Sequence, residues 1–506
     1  MVVGGGTAGA IVAARVAAHG DRSVVLLEAG PDFPGPDETP PVLLYGDYAE
    51  GRVTTRDFAW AWDTVPSAPG AAPYVLYSGK VIGGGSSVNG QVWLHGLPGD
   101  FDGNWAARGA SGWGWREVAP WYAAVARDLD FPARGGSGPV PVRRVPPAQW
   151  HPVHAGFLDA CLDAGFPHCP DLNAPGASGV GPHPLNNLDG VRVSSALSHL
   201  RSARDLPTLR VLGDRDVERV LFDGDRAVGV LARTPAGAPV RVLAEQEVVL
   251  AAGGVATPWL LLRSGVGDAD HLRRNGVPVV LDSAGVGASL REHPRVMVRW
   301  RARPGYELNA TSVRAPVALR TTAPGSAIPD DLKLSIAAFE DEQGAGIEMT
   351  IFLMLAVGSG HVRLAEGEPA ARPVVDPRFL REPEDVRRLR EAVRFAVDLV
   401  ESSPALREVV AERVAPAGAI DDDAVLDGWL RRAVRGTFHA SSTCAIGPPG
   451  SGAVVDQVGR VLGVRGLRVV DASVMPDSVR ANINATVAMM AERFAAAIIT
   501  QSALTG

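Results

Sequence analysis

Apolar residues in the first thirty positions alternate between short runs and one longer helical run. The stretch MVVGGGTAGAIVAARVAAHGDRSVVLLEAG contains a short apolar strand, a glycine turn, an alanine-rich segment with helical spacing, and a second apolar strand at residues 23–27. A buried parallel strand usually has about five residues. Only three residues precede Gly4, which favours a natural start a few residues upstream. The order strand, turn, helix and strand predicts the opening of an α/β domain.

Later parts of the chain switch between alternating and helical patterns. Residues 210–233 alternate around an Asp-Gly turn, and residues 247–254 form an apolar run that ends in small residues, as expected where the carboxyl end of a strand meets a ligand. Residues 332–339 and 349–357 alternate as antiparallel strands do, whereas residues 383–400 have helical spacing. The region 295–435 has no glycine fingerprint, and we expect a substrate-binding domain there.

Tryptophans are concentrated in residues 104–126, where the spacing predicts one or two helices. Large aromatic side chains dominate protein interiors, so we expect these residues in the core rather than against a cofactor; they are Trp105, Trp113, Trp115 and Trp121. The proline-rich residues 29–39 predict a surface loop, and residues 135–147 and 171–184 have the composition of linkers. The chain is therefore expected to leave its first domain and return to it.

The glycine turn gives the first indication of chemistry. Gly4, Gly6 and Gly9 fit the pattern G-x-G-x-x-G, and Glu28 follows Gly9 by nineteen residues, at the end of the second strand. Glycines in this place allow a pyrophosphate to approach the backbone at the positive end of a helix, and the acid can hold ribose hydroxyls. The pattern alone leaves open NAD, FAD or an ordinary tight turn in an α/β protein.

Composition and charge exclude several other classes. The 506 residues suffice for two or three domains, and a net charge of −7 argues against nucleic acid or an anionic membrane as the main partner. The three cysteines, Cys161, Cys169 and Cys444, include no C-x-x-C pair, which argues against a disulfide reductase. No apolar run approaches the roughly 20 residues of a membrane helix, and no secretory signal is present. We therefore expect a cytoplasmic protein without an integral membrane segment.

A second glycine-rich segment, residues 79–90 (GKVIGGGSSVNG), fits a place where the main chain passes close to a flat ligand. Its extension to residue 102 resembles the first signature of the glucose-methanol-choline (GMC) flavoprotein oxidoreductases. Residues 253–267 (GGVATPWLLLRSGVG) resemble the second signature and depart from it at Gly254. The resemblance spans the chain, from LLEAGP at residues 26–31 to RVVDASVMP at residues 468–476.

The resemblance implies an α/β fold in which an FAD-binding Rossmann-like (GMC) domain is combined with a discontinuous α+β substrate domain built on an antiparallel sheet. It divides the chain into alternating parts. The FAD-binding domain takes residues 1–140, 181–294 and 436–506, and the substrate domain takes residues 141–180 and 295–435.

The resemblance also implies which residues contact FAD. The residue before Asn89, which in some members of the family carries the flavin covalently as a histidine, is Val88 here, so we expect non-covalent FAD. The valine matching Val217 lies against the adenine in the family, although its place in an alternating strand is equally consistent with an ordinary half-buried residue. The expected FAD-binding residues are Gly4, Gly6, Thr7, Ala8, Gly9, Glu28, Ala29, Gly84, Asn89, Gly90, Val92, Val217, Asp471 and Ala472.

Two residues near the C-terminus match the catalytic positions of the family. His439 lies in GTFHASSTCAIG and matches the histidine of H-x-x-G-T-C-x-M-G, although Ser442 and Ile446 replace a glycine and the methionine. Asn482 matches the second position, with Asn484 as a competing candidate. A structural histidine and a helix-capping asparagine are the alternatives without the resemblance. A helix beginning near Asn484 would direct its positive end to the flavin.

These residues suit the oxidation of an alcohol to a carbonyl compound. An imidazole can accept the hydroxyl proton as hydride moves to flavin N5, and Asn482 would hydrogen-bond the developing alkoxide. This chemistry requires no metal, and Cys444 is expected to be a buried small residue rather than a nucleophile. The partners implied are a small-molecule alcohol and either oxygen or another electron acceptor.

Other functions remain open at this point. A weaker resemblance to the mycofactocin-associated members of the family, carried by residues 128–131, 138–144 and 185–195, would imply a redox peptide or respiratory carrier as acceptor. A hydroxynitrile lyase would use the same fold with an FAD that never turns over. An NAD-dependent dehydrogenase is the third alternative, and the two GMC signatures argue against it.

Overall fold

The computed structural model describes residues 1–45, 55–306 and 314–502. One half of the molecule is built on a five-stranded parallel sheet, called here the parallel sheet. In spatial order its strands are Leu209–Leu212, Val24–Leu27, Val2–Val3, Val248–Leu250 and Leu467–Val469. The two-residue strand Val2–Val3 is central and almost completely buried, so its backbone is paired on both sides although it is short.

Helices cover the parallel sheet. The helix Thr7–His19 begins directly after the first glycine turn and packs against the C-terminal helix Asn484–Ser502. Other helices of this half are Trp115–Val125 and Gly253–Arg263. Of the four tryptophans expected in the core, Trp105 and Trp113 are fully buried, whereas Trp115 and Trp121 are half-buried and pack against it. An additional antiparallel sheet has the strands Asp216–Asp223, Arg226–Arg233 and Pro239–Leu243.

The other half of the molecule is built on a six-stranded sheet, called here the antiparallel sheet. Its strands, in spatial order, are Val410–Ala415, Arg295–Ala302, Gly344–Leu353, Leu332–Asp341, Val317–Thr321 and Gly179–Pro182. The strand expected at residues 332–339 is observed as Leu332–Asp341 and the expected helix as Pro383–Ser402, whereas the strand expected at residues 349–357 begins and ends earlier, as Gly344–Leu353. The domain boundaries stay a prediction, and the edge strand Gly179–Pro182 crosses the expected boundary at residue 180.

The two faces of the antiparallel sheet differ in chemistry. Side chains on one face, including Leu334, Ile336 and Ile351, are fully buried in an apolar core with the helices Pro152–Asp163 and Pro383–Ser402. Because successive side chains of a strand point to opposite faces, Lys333 and Ser335 lie on the other face. Lys333 contacts Asn482 beside the C-terminal helix, so the polar face is turned towards the parallel-sheet half.

None of the helices in the described ranges has both the length and the apolar character that a bilayer span requires.

Candidate active site

The first glycine turn is packed too tightly for any other residue. Gly4 has φ +94°, and a Cβ added to it would lie 2.5 Å from the Ala251 carbonyl oxygen. A Cβ on Gly9 would lie 1.9 Å from the Gly4 oxygen. Both glycines therefore let the helix Thr7–His19 start directly against the parallel sheet.

The second glycine segment, residues 79–90, crosses the first turn. The backbone amide of Gly83 donates to the Gly5 carbonyl at 2.7 Å, and a Cβ on Gly84 would lie 2.6 Å from the Gly6 Cα. On the far side, nothing lies within 4 Å of a Cβ built on Gly85, which is exposed. The segment thus has one face against the first turn and one open face, which fits a flat ligand.

The carboxylate of Glu28 joins the two loops that follow the first two strands. Its Oε2 accepts from the Gly5 amide at 2.7 Å and its Oε1 from the Gly30 amide at 3.0 Å. Burial raises the pKa of this carboxyl to about 7. Each oxygen keeps a second lone pair, so the hydrogen bonds that hold the turn leave capacity for ribose hydroxyls. Ala29 lies between Glu28 and Gly30 in this loop.

Asp471 lies at the carboxyl edge of the parallel sheet, directly beyond the strand Leu467–Val469. Its Oδ2 accepts from the Gly253 amide at 2.9 Å and from Thr257 Oγ1 at 2.6 Å, and its Oδ1 accepts from the Ser473 amide at 2.8 Å. Burial raises the pKa of this carboxyl. Asp471 and Ala472 are thereby fixed beside the start of the helix Gly253–Arg263.

Asn484, the competing candidate for the catalytic position, faces the first glycine turn instead. Its Oδ1 accepts from Thr7 Oγ1 at 2.9 Å. Its Nδ2 is buried and has no hydrogen-bond partner in the described part of the chain. A buried donor without a partner is costly, and it lies at the N-terminus of the helix Asn484–Ser502, where an acceptor on a bound cofactor would satisfy it. This orphaned amide and the open glycine face fit an FAD at this edge.

The other predicted cofactor residues occupy less constrained places. Asn89 and Val92 are half-buried and Gly90 is exposed beyond the second glycine segment, while Ala8 is buried in the first helix. Val217 is buried beside a bulge in the strand Asp216–Asp223. Their contacts with FAD stay a prediction.

His439 is held from its Nδ1 side. That nitrogen lies 2.8 Å from Thr437 Oγ1 and 2.9 Å from His293 Nδ1. Thr437 Oγ1 itself donates to Glu292 at 2.9 Å, so it is an acceptor towards His439. The hydrogen-bond network therefore assigns the proton to Nδ1 and leaves a lone pair on Nε2. His439 is half-buried. Its pKa lies well below the ordinary value for histidine, first because of desolvation and then because of electrostatic interactions with His293, Lys333 and Arg295.

Glu292 fixes the backbone around the imidazole. Its carboxylate accepts from the His439 amide at 2.9 and 3.0 Å, from the Thr437 amide at 3.2 Å and from the His293 amide at 2.8 Å. The side chain is buried, and burial raises the pKa of the carboxyl. Phe438, between Thr437 and His439, has φ +66°, a strained conformation for a non-glycine residue. Glu292 thus stabilises a sharp turn that presents His439.

His293 extends the hydrogen-bond network on the Nδ1 side of His439, opposite to His439 Nε2. Its Nε2 lies 2.8 Å from Ser478 Oγ, and burial lowers its pKa to about 3, so the ring is neutral near pH 7. Neither Glu292 nor His293 is among the predicted site residues. Their only sequence signal is an adjacent acid and histidine just before the strand Arg295–Ala302.

Asn482 lies on the open side of His439. Its Nδ2 is 3.3 Å from His439 Nε2, so both nitrogens can contact a single oxygen atom. Its Oδ1 accepts from Lys333 Nζ at 2.7 Å. Lys333 is also absent from the predicted residues, because a charged residue at a polar position of an alternating strand is typically solvent-exposed. Here it is buried.

Other reactive groups are not part of this site. Cys444 is fully buried, as expected, and burial raises the pKa of its thiol. Within the described residues, no group of three or more His, Cys, Asp or Glu side chains could hold a metal ion.

Comparisons with known proteins identify the family of this chain. Residues 1–295 and 356–491 match the N- and C-terminal parts of the GMC oxidoreductase family. The chain is 35% identical to the 5-(hydroxymethyl)furfural oxidase of Methylovorus sp. (strain MP688), covering 99% of this chain and 98% of that protein. It is 32% identical to the oxygen-dependent choline dehydrogenase of Paraburkholderia xenovorans (strain LB400), covering 100% of this chain and 94% of that protein.

A solved structure shows the same fold over nearly its whole length. The pyridoxine 4-oxidase of Mesorbium loti superposes with a TM-score of 0.89 at 27% identity, covering 98% of each chain. The matched residues include both glycine loops, the Asp471 edge and the His439 network. The chain therefore belongs to the GMC oxidoreductase family and is an FAD-dependent oxidoreductase acting on the CH–OH group of its donor.

Proposed function

We propose that the protein oxidises a small-molecule alcohol to the corresponding carbonyl compound, with His439 as general base and Asn482 as the hydrogen-bond donor to the substrate oxygen. The observation that carries this proposal is the convergence of His439 Nε2 and Asn482 Nδ2, 3.3 Å apart, on the side where Nε2 carries its lone pair. The depressed pKa of His439 keeps the imidazole neutral near pH 7 and able to accept a proton.

Residues of this chain can accept the hydroxyl proton of the substrate and stabilise the charge that develops on its oxygen. The hydroxyl proton moves to His439 Nε2 as the C–H bond breaks and the C=O bond forms, and the Nδ1 side shares the resulting positive charge with Thr437 and Glu292. The Asn482 amide stabilises the negative charge that develops on oxygen. FAD, when bound, accepts the hydride from the carbon. Val88 supplies no histidine for covalent attachment, so we propose that the FAD is held non-covalently.

We propose oxygen or another compound as the final electron acceptor. Among the relatives, a 5-(hydroxymethyl)furfural oxidase and an oxygen-dependent choline dehydrogenase are named for substrates with a primary hydroxyl group and for oxidase or oxygen-dependent activity. We therefore propose a primary alcohol as substrate. The cytoplasmic location expected from the sequence stays a prediction.

The test is to mix the FAD-loaded enzyme anaerobically with each of a panel of alcohols and to measure flavin reduction as the loss of yellow absorbance. The panel includes 5-(hydroxymethyl)furfural, benzyl alcohol and choline. At least one alcohol is expected to bleach the flavin, and readmitting oxygen separates oxidase from dehydrogenase. If no alcohol bleaches it, a redox-silent role such as that of a hydroxynitrile lyase replaces the proposal.

The role of His439 as general base is tested with a separate variant. His439→Ala is expected to keep its FAD but to reduce it about 1,000-fold more slowly, because the substrate proton loses its acceptor. The rate is measured by stopped flow at saturating alcohol, and the visible spectrum confirms FAD loading. Reduction at the wild-type rate would refute the assignment of His439.

A further inference from the structure

Lys333 is in direct contact with the proposed catalytic amide. Its Nζ donates to Asn482 Oδ1 at 2.7 Å, across 149 residues of sequence. The side chain is 4% exposed, and its Nζ lies 4.5 Å from the centroid of the Phe352 ring on the neighbouring strand. It is one of two lysines in the chain, the other being Lys80.

An ammonium group determines which way an asparagine amide faces. A protonated lysine has three donors and no acceptor, so it can bind the Oδ1 of Asn482 and not the Nδ2. With Oδ1 turned to Lys333, Nδ2 must face His439 and the substrate oxygen. A neutral amine both donates and accepts, and would tolerate either orientation of the amide.

The surroundings of Lys333 contain cations and imidazoles rather than acids. Arg320 lies directly opposite it on the adjacent strand. His183, His293 and His439 each have a pKa that the charge of Lys333 lowers. No carboxylate in the described ranges forms an ion pair with Lys333 or raises its pKa. Desolvation and the Arg320 charge lower the Lys333 pKa to about 7.

We propose that Lys333 is a positioning residue, whose ammonium group holds the Asn482 amide with Nδ2 towards the substrate oxygen. This inference rests on the proposed function of His439 and Asn482. Stabilising a preorganised donor in this way acts on the transition state, so it affects the rate of flavin reduction more than substrate affinity.

The titration of Lys333 gives the reaction a distinctive pH dependence. The ammonium is present below its pKa and lost above it, so the limiting rate of flavin reduction falls as the pH rises through about 7. His439 must be neutral to act, and its pKa is lower than the ordinary value, so its limb rises at more acidic pH. The profile is therefore a bell whose alkaline limb belongs to Lys333.

The test compares Lys333→Met and Lys333→Arg with the wild type, all loaded with FAD, in anaerobic stopped flow with the neutral alcohol of the panel that reduces the flavin fastest. At about pH 6, Lys333→Met is expected to be about tenfold slower at saturating alcohol with little change in the half-saturating concentration, and to lack the alkaline limb. Lys333→Arg keeps a charge that does not titrate, so it is expected to remain active at about pH 9 and to exceed the wild type there.

The outcomes separate this inference from the proposed function. Wild-type rates and an unchanged alkaline limb in either variant would overturn the role of Lys333 while leaving His439→Ala inactive. If Lys333→Met does not bind FAD, Lys333→Arg decides alone: loss of the alkaline limb supports the role, and its retention overturns it. Undiminished reduction by His439→Ala would refute the proposed function itself.

Discussion

The two proposed catalytic side chains are held in different ways. His439 is enclosed by hydrogen bonds from its own turn: Thr437 and His293 contact the imidazole, and Glu292 binds the backbone on both sides of Phe438. Asn482 has its carboxamide oxygen held by Lys333, a residue from the opposite half of the molecule. The base is thus fixed by an acid-anchored loop, whereas the amide depends on a side chain that titrates near neutral pH.

The position of His439 should therefore be insensitive to pH, whereas the orientation of the Asn482 amide should depend on it. Glu292 accepts several backbone amides, and this geometry persists as long as the loop is folded. The contact between Lys333 and Asn482 joins the antiparallel sheet to the parallel-sheet half, so it responds both to pH and to the placement of the two halves. Variants of the His439 turn and variants of the Lys333–Asn482 contact should therefore differ in which property they change, as well as in the size of the effect.

Asn482→Ala is expected to have the largest effect of the variants below. Removing a preorganised donor to the developing alkoxide should slow flavin reduction about 100-fold, measured by stopped flow at saturating alcohol. Adding Lys333→Met to it should cause little further loss, since Lys333 would no longer have an amide to orient. Equal losses in the two backgrounds would show that Lys333 acts independently of Asn482.

Glu292→Gln should have an intermediate effect and should also lower stability. The glutamine amide would place donors opposite the amides of His293, Thr437 and His439, and an unmet buried group costs about 1–3 kcal/mol. We expect a lower melting temperature, about tenfold slower reduction and an alkaline limb like that of the wild type. Another buried acid, Asp331, pairs with Arg388 of the helix Pro383–Ser402 and accepts from the Ala323 amide, so Asp331→Asn is the matched control: it should lower stability without changing the rate of the folded enzyme.

Thr437→Val should have the smallest effect. It preserves shape but removes the hydroxyl that accepts from His439 Nδ1, leaving His293 at 2.9 Å as the remaining partner. Reduction should slow about threefold, with the pH profile otherwise unchanged. A loss as large as that of Asn482→Ala would mean that the base is no better supported than the amide, which would contradict the comparison.

The glycine loops could be predicted from the sequence because backbone requirements leave local signals. Gly4 and Gly9 must be glycine where the helix packs on the sheet, and such requirements form a recognisable spacing. The resemblance also selects Asn482 over Asn484, and the structure places Asn482 beside His439 and Asn484 beside Thr7.

The substrate side could not be predicted in the same way. Lys333 and Asn482 are 149 residues apart, and His293 and His439 are 146 apart, so neither pair leaves a local pattern. A lysine at a polar position of an alternating strand predicts exposure to solvent, and only the other half of the molecule makes that face an interior surface. Long-range packing therefore decides which polar residues become part of the site.

The two-faced antiparallel sheet has a consequence for how this enzyme can change its substrate. The apolar core uses Leu334, Ile336 and their neighbours, whereas Ser335 and Thr350 alternate with them on the opposite face. A library restricted to the second set would alter the face of the sheet that carries Lys333 without removing any methyl group from the core. Substitutions that change substrate specificity should then lower the free energy of unfolding only slightly, because the residues that stabilise the core and the residues to be varied alternate along the same strands.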